Sequence, residues 1–132
     1  MNLDSVEVLI LRNLLYNEKY LRKVVPFIKA EYFEEVNQKI VFEEIIKFVH
    51  DYNQPATKEI LCIEIEKRSD INDTQFQEIT KLISYLEDDP AEFEWLLNTT
   101  EKWCRDRAIY LALMESIGLA DGKDETKGRD AI

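Results

Sequence analysis

The sequence predicts an all-α fold, and three observations carry the prediction. Apolar residues recur at i, i+3, i+4 spacing in nearly every segment, as amphipathic helices require. The whole chain holds only three Gly and three Pro, too few for the many tight turns of a β domain. Its 132 residues, 45% hydrophobic and 33% charged, suffice for one folded core but not comfortably for two. The expected architecture is a globular helical bundle followed by one long helix.

Asp4 and Glu7 stand at capping-box spacing and are expected to open a helix over about Ser5–Tyr16. Val6, Val8, Leu9, Ile10, Leu11, Leu14 and Leu15 leave that helix little polar face, so it should be central. Asn17 can cap a second helix carrying Tyr20, Leu21, Val24 and Val25, and Pro26 ends it by disfavouring an α conformation at Val25. Phe27–Phe33 reads as a connection with about one helical turn. Helical periodicity returns over Glu35–Tyr52, with Val41, Phe42, Ile45, Ile46, Phe48, Val49 and Tyr52 on one face and Glu43, Glu44 and Lys47 on the other.

Asn53-Gln54-Pro55 is a loop. Thr57 then caps a helix to about Arg68, supported by a Glu64–Arg68 pair at i, i+4, although Cys62–Glu66 also alternates like a strand. Asn72 or Asp73 starts an amphipathic helix with Phe76, Ile79, Ile83 and Leu86 on one face, flanked by Leu82 and Tyr85.

The long helix is expected over Asp89–Leu119, with Asp89 as N-cap and Pro90 at the first helical position. Its roughly 28–30 residues would span about 45 Å, more than a bundle of this size can cover. It carries two apolar stripes. Leu96, Trp103, Tyr110, Leu113, Met114 and Ile117 form one; Phe93, Leu97, Thr100, Cys104, Ala108 and Leu111 form the other. A surface helix needs only one stripe, so either this is a central helix buried all round or the second stripe meets a partner.

Residues 1–88 are thus read as the bundle, 89–119 as the long helix and 120–132 as a polar loop or frayed tail. The chain stops at Ile132 after two apolar residues, which reads as a cut more than as a natural end.

Composition narrows the chemistry. A formal charge of −10 argues against strong binding to DNA or RNA, whose affinity comes largely from Lys and Arg on phosphates. No apolar run is long enough to span a membrane, and no secretory signal opens the chain. Cys62 and Cys104 lack metal spacing and read as reduced thiols of a cytoplasmic protein. A single histidine, His50, leaves no triad or multi-His metal site; its place at a helix end suits contact with the last carbonyls. No phosphate-binding loop, HExxH or paired CxxC is present, so no catalytic or cofactor-binding residue is assigned.

Carboxylates are the plentiful reactive group: Glu31, Glu34, Glu35, Glu43, Glu44, Glu64 and Glu66. All-α nucleotide pyrophosphohydrolases hold Mg²⁺ on helix-borne Glu at such spacings, which makes Glu34, Glu35 and Glu64 the candidate set for that alternative. Solvated helix faces are the commoner origin of such a pattern. Two further alternatives are an acidic protein-interaction module and an acidic mimic of DNA, the latter opposed by the Lys and Arg scattered among the carboxylates. Phe27, Tyr32, Phe33, Phe42, Phe48 and Phe76 suit core packing better than base stacking, since no basic patch is interleaved.

Several motifs then come in a recognisable order: EYFE at Glu31–Glu34, the Asn53–Thr57 loop before a capped helix, KLISYLEDDP at Lys81–Pro90, and WLLNTTEKWCRDRA at Trp95–Ala108. In these the chain resembles the N-terminal domain of replicative DNA helicases of the hexameric DnaB family, in particular those of T-even-type tailed phages. The resemblance runs through essentially the whole chain as a pattern of packing residues rather than a catalytic signature.

It implies a helical bundle followed by a helical hairpin, with the long helix as its first arm, residues 118–128 as its tip, and a second arm absent from this chain. It further implies a non-catalytic collar domain that assembles the hexameric ring by self-association. Docking of primase, with a helicase loader as a further partner, follows from the same likeness. ATP and Mg²⁺ would belong to a motor domain outside this chain, and the setting would be the cytoplasm of the host. On this reading Leu96, Trp103, Tyr110, Leu113, Met114 and Ile117 face the oligomer partner. Phe93, Leu97, Cys104, Ala108 and Leu111 pack within the chain, although the pattern alone permits the inverse.

Overall fold

The computed structural model describes residues 5–120, and among them every regular element is helical. Six α-helices follow in order: α1 Val6–Tyr16, α2 Glu18–Val24, α3 Val36–Tyr52, α4 Lys58–Glu66, α5 Asp73–Ser84 and α6 Phe93–Ala120, with a 3₁₀ turn at Ala30–Tyr32 between α2 and α3.

Their boundaries follow local chemistry. Ser5 caps α1, its hydroxyl accepting from the Val8 N–H at 3.3 Å. This corrects the expected Asp4–Glu7 box, of which Asp4 lies outside the described residues; Ser5, one position later, satisfies one of the orphan donors of the first turn. Asn17 caps α2 by accepting from Tyr20, Thr57 caps α4 by accepting from Ile60, and Asn72 caps α5 by accepting from Gln75. Helix α3 ends on Asn53 in the left-handed region (φ 56°, ψ 36°), a conformation Asn tolerates. Arg22 fixes that corner, donating to the Asn53 side-chain oxygen at 2.6 Å and to its carbonyl at 2.8 Å.

Packing is layered. Helix α3 lies between α1 on one side and α4 and α5 on the other, while α6 packs on α1, α2 and the 3₁₀ turn. The largely apolar α1 is central, with Val8, Ile10, Leu11 and Leu14 fully buried. Helix α6 is instead an outer layer, which removes the reading in which it is a central helix buried all round.

Other expectations need correction. The α4 helix stops at Glu66, and Arg68 turns away from Glu64 to bond Glu44 at 2.8 Å, Glu43 at 3.2 Å and Asp70 at 2.7 Å. Glu64 instead meets Lys67 at 2.9 Å and Lys47 at 3.9 Å. Glu44 is therefore a buried residue rather than part of a polar face, and one of its carboxylate oxygens finds no partner among the described residues. His50 is exposed and its Nδ1 sits 3.2 Å from the Asp51 carboxylate, with no hydrogen bond to the helix carbonyls among the described residues. Phe27 and Tyr52 are exposed rather than packed in the core.

Candidate interaction surface on the long helix

The chain enters α6 through a non-helical linker, residues 86–92. Leu86 is fully buried, and its carbonyl accepts from the Tyr16 hydroxyl at 2.8 Å, which pins the linker to the end of α1. Glu92 then caps the helix: its carboxylate accepts from the N–H groups of Glu94 at 3.0 Å and Trp95 at 2.9 Å. Those two bonds hold its pKa below the usual carboxylate value. The expected start at Asp89-Pro90 is therefore three residues early. A pinned Leu86 and a Glu able to reach two orphan donors move the cap to Glu92.

The first half of α6 is anchored. Leu96 and Thr100 are fully buried, and Trp103 and Cys104 nearly so. The Thr100 hydroxyl lies 2.6 Å from that of Tyr20. Burial of Tyr20 raises its phenol well above the ordinary value, against the opposing effect of the Thr100 bond. Trp103 packs edge-on to Tyr32 and at 5.0 Å from Phe33, while its indole N–H donates to Glu7 at 3.1 Å. Arg107 completes the seam by donating from Nε to the Tyr32 carbonyl at 2.7 Å. Phe93 and Leu97 are partly buried against the core, with the Lys19 ammonium 4.4 Å above the Phe93 ring.

Beyond Arg107 the helix leaves the bundle. Ile109, Tyr110, Leu113, Met114 and Ile117 are 53%, 45%, 57%, 46% and 50% exposed, and Leu111 alone of this stretch leans back on the core. Glu115 is the only charged residue from Ala108 to Ile117. Tyr110, Leu113, Met114 and Ile117 stand at i, i+3, i+4, i+7 and so share one face. The Arg107 guanidinium stacks 5.0 Å from the Tyr110 ring at the near end of that strip.

The expected pair of stripes is thus corrected at three positions. Leu96 and Trp103, assigned to a partner, are buried within the chain; Ala108, assigned to the bundle, is exposed. Trp95, which the stripes omitted, is 52% exposed beside the linker. Its place outside both apolar rows would have been the signal. The hairpin tip expected over residues 118–128 falls mostly outside the described residues, and Gly118 itself is helical.

The candidate Mg²⁺ carboxylates are not brought together. Glu34 and Glu35 precede α3 on the surface, whereas Glu64 lies on α4 and is engaged by Lys47 of α3 and by Lys67 just past the end of α4. Among the described residues no three His, Cys, Asp or Glu side chains are placed to share a metal ion. Nor is any described helix long and apolar enough to cross a membrane. Cys62 and Cys104 are both free thiols, and burial pushes Cys104 up to about 11.

No protein-family profile matches the chain. Among characterised proteins it is similar to a DnaB-like replicative helicase of Enterobacteria phage T4, with 32% identity over 109 residues. The match takes in 83% of this chain and 23% of that helicase, so the chain spans about a quarter of its relative. An exclusively helical piece of this size is consistent with an N-terminal domain, and the chain is, through most of its length, a relative of one segment of a DnaB-like replicative helicase.

Proposed function

We propose that the chain is a non-catalytic assembly and docking domain of a replicative helicase, whose long helix joins neighbouring subunits of the ring. The observation that carries this reading is the apolar strip Tyr110, Leu113, Met114 and Ile117 on the half of α6 that stands clear of the bundle. Fully burying such a side chain is worth about 1.5–3 kcal/mol. Those four and Ile109, each about half exposed, therefore offer on the order of 4–8 kcal/mol per copy. Association itself costs about 4–15 kcal/mol, so one strip alone is insufficient and two strips packed on each other are marginal. The isolated chain should associate weakly and reversibly, with the strip of a second copy as the occupant.

Primase docking and ring assembly belong to the same proposal, as does an ATP- and Mg²⁺-dependent motor elsewhere in a longer protein; they rest on the likeness to the phage helicase. Sedimentation velocity over a concentration series tests the assembly step. Wild type is expected to shift towards dimers and larger species, and Leu113→Asp or Met114→Asp to stay monomeric with unchanged helicity. A strictly monomeric wild type at millimolar concentration overturns the reading. Turnover of nucleoside triphosphates with Mg²⁺ would overturn the non-catalytic part.

A further inference from the structure

On the side of the molecule built by α3 lies an open groove of about 790 Å³, between the Ile28–Glu31 connection and that helix. Its floor is apolar, made by Ile28, Phe42 and Ile46, and its rim carries Lys29, Lys39 and Lys47. Neither Lys29 nor Lys39 forms an ion pair among the described residues, and Lys47 makes only the 3.9 Å contact with Glu64. Of the two rim carboxylates, Glu43 is already engaged by Arg68. In a chain with 27 acidic and 17 basic side chains, this is a local excess of positive charge around an apolar floor.

The complementary surface is on the same chain. From Glu87 to Glu94 five of eight residues are carboxylates and none is basic. Glu87 is held by Lys58 and Glu92 by the helix cap, which leaves Asp88, Asp89 and Glu94 exposed and without ion pairs among the described residues. The half-exposed Trp95 follows them. No ion pair joins this segment to the groove lysines within one copy.

We propose that the acidic linker of one copy, with Trp95 as its apolar anchor, docks in the lysine-rimmed groove of a second copy. Two different surfaces meet, so between copies not already paired through their α6 strips the contact is heterologous, the kind that propagates head to tail and closes a ring when the rotation permits. It rests on the self-association reading and adds to it a second interface and a direction. Lone exposed ion pairs are worth little, so this contact acts mainly in concert with α6, whose strip pairs each copy with a different neighbour and so presents two grooves and two linkers together. Its share is orientation and register, as opposed charge patches provide.

The test is a charge swap read by sedimentation of the 132-residue chain at low salt, with circular dichroism to verify folding. The side chains changed are exposed or half-exposed, so the fold is expected to persist. K29E/K39E and D88K/D89K should each weaken self-association at least tenfold, and an equimolar mixture of the two should restore it to within about threefold of wild type. The pair separates the contact from general repulsion: K29E/K39E makes the chain more acidic, whereas D88K/D89K makes it less so and would strengthen association if net charge alone mattered. Trp95→Ala should weaken association without altering the response to charge.

Self-association unchanged in both charge variants overturns the groove contact and leaves the α6 strip standing. Loss in both variants together with indifference to Met114→Asp supports the groove and overturns the strip. A mixture that fails to recover also overturns the heterologous contact, and a monomeric wild type overturns both readings.

Discussion

The bond between Tyr20 and Thr100 decides how firmly α6 is fixed to the bundle, and it can be tested by a double-mutant cycle. The two hydroxyls lie 2.6 Å apart, both residues are fully buried, and they join α2 to α6 across 80 positions of sequence. Thr100→Val keeps the shape but strands the Tyr20 hydroxyl where no water reaches it. An unsatisfied buried hydroxyl costs about 1–3 kcal/mol, and full burial places this one at about 2. Tyr20→Phe is milder, about 1 kcal/mol, because the Thr100 hydroxyl can turn back to a carbonyl of its own helix one turn earlier. Removing both leaves no orphan, so the double variant should lie close to wild type. The coupling is then on the order of 2–3 kcal/mol, well above the few tenths expected of independent sites. Urea unfolding followed by tryptophan fluorescence measures it, since Trp103 sits one turn beyond Thr100. Additive single and double variants would falsify the claim that this bond locks the helix, leaving packing alone to hold it.

Three more outcomes follow from the same seams. Arg68→Ala should destabilise the fold by about 3 kcal/mol in thermal or urea unfolding, because it leaves the buried Glu44 carboxylate unpaired. Trp103→Ala should cost about 3–5 kcal/mol through loss of its packing on Tyr32 and Phe33, while the exposed strip beyond Arg107 is untouched. Burial pushes the Cys104 thiol from its ordinary 9.0 up to about 11, so its contribution is intact below pH 9 and is lost as pH rises towards 11. Cys104→Ala should flatten that part of the stability–pH curve; an unaltered slope would show that other groups set it.

Much of this architecture could be read from the residues, because local chemistry decided it. Asn17, Thr57 and Asn72 are caps whose side chains reach donors three residues on, and each opens the helix it marks. The scarcity of polar positions in α1 indicated a central helix, as observed. What escaped was set by partners distant in sequence. Arg68 had a plausible partner one turn back, yet Glu44 and Asp70 offered charged acceptors in better geometry, and no local rule ranks these. The entry to α6 was misplaced because Asp89-Pro90 is a sound helix start in isolation. It is overridden by Leu86, whose burial and bond to Tyr16 depend on α1 seventy residues earlier. The lysine-rimmed groove was invisible for the same reason: Lys29 and Lys39 lie on either side of the 3₁₀ turn and become neighbours only in the folded chain.

The division of the long helix carries the deeper lesson. Its apolar rows suggested a division around the circumference, one row for the bundle and one for a partner. The structure divides it along its length instead. Up to Arg107 members of both rows are covered, Leu96 and Trp103 from one, Thr100 and Cys104 from the other, because α1, α2 and the 3₁₀ turn wrap that half from two sides. Beyond it the bundle has ended while the apolar pattern has not, so Tyr110, Leu113, Met114 and Ile117 stay in water. Periodicity reports which side chains avoid water but not where the neighbouring elements stop, and that edge falls where Glu7 of α1 and Tyr32 of the 3₁₀ turn make the last hydrogen bonds to α6, through Trp103 and Arg107. A lengthwise division also has a mechanical consequence. The anchored half transmits the orientation of the bundle to the free half through one unbroken helix, so whatever packs on the strip is held at a fixed angle to the rest of the domain.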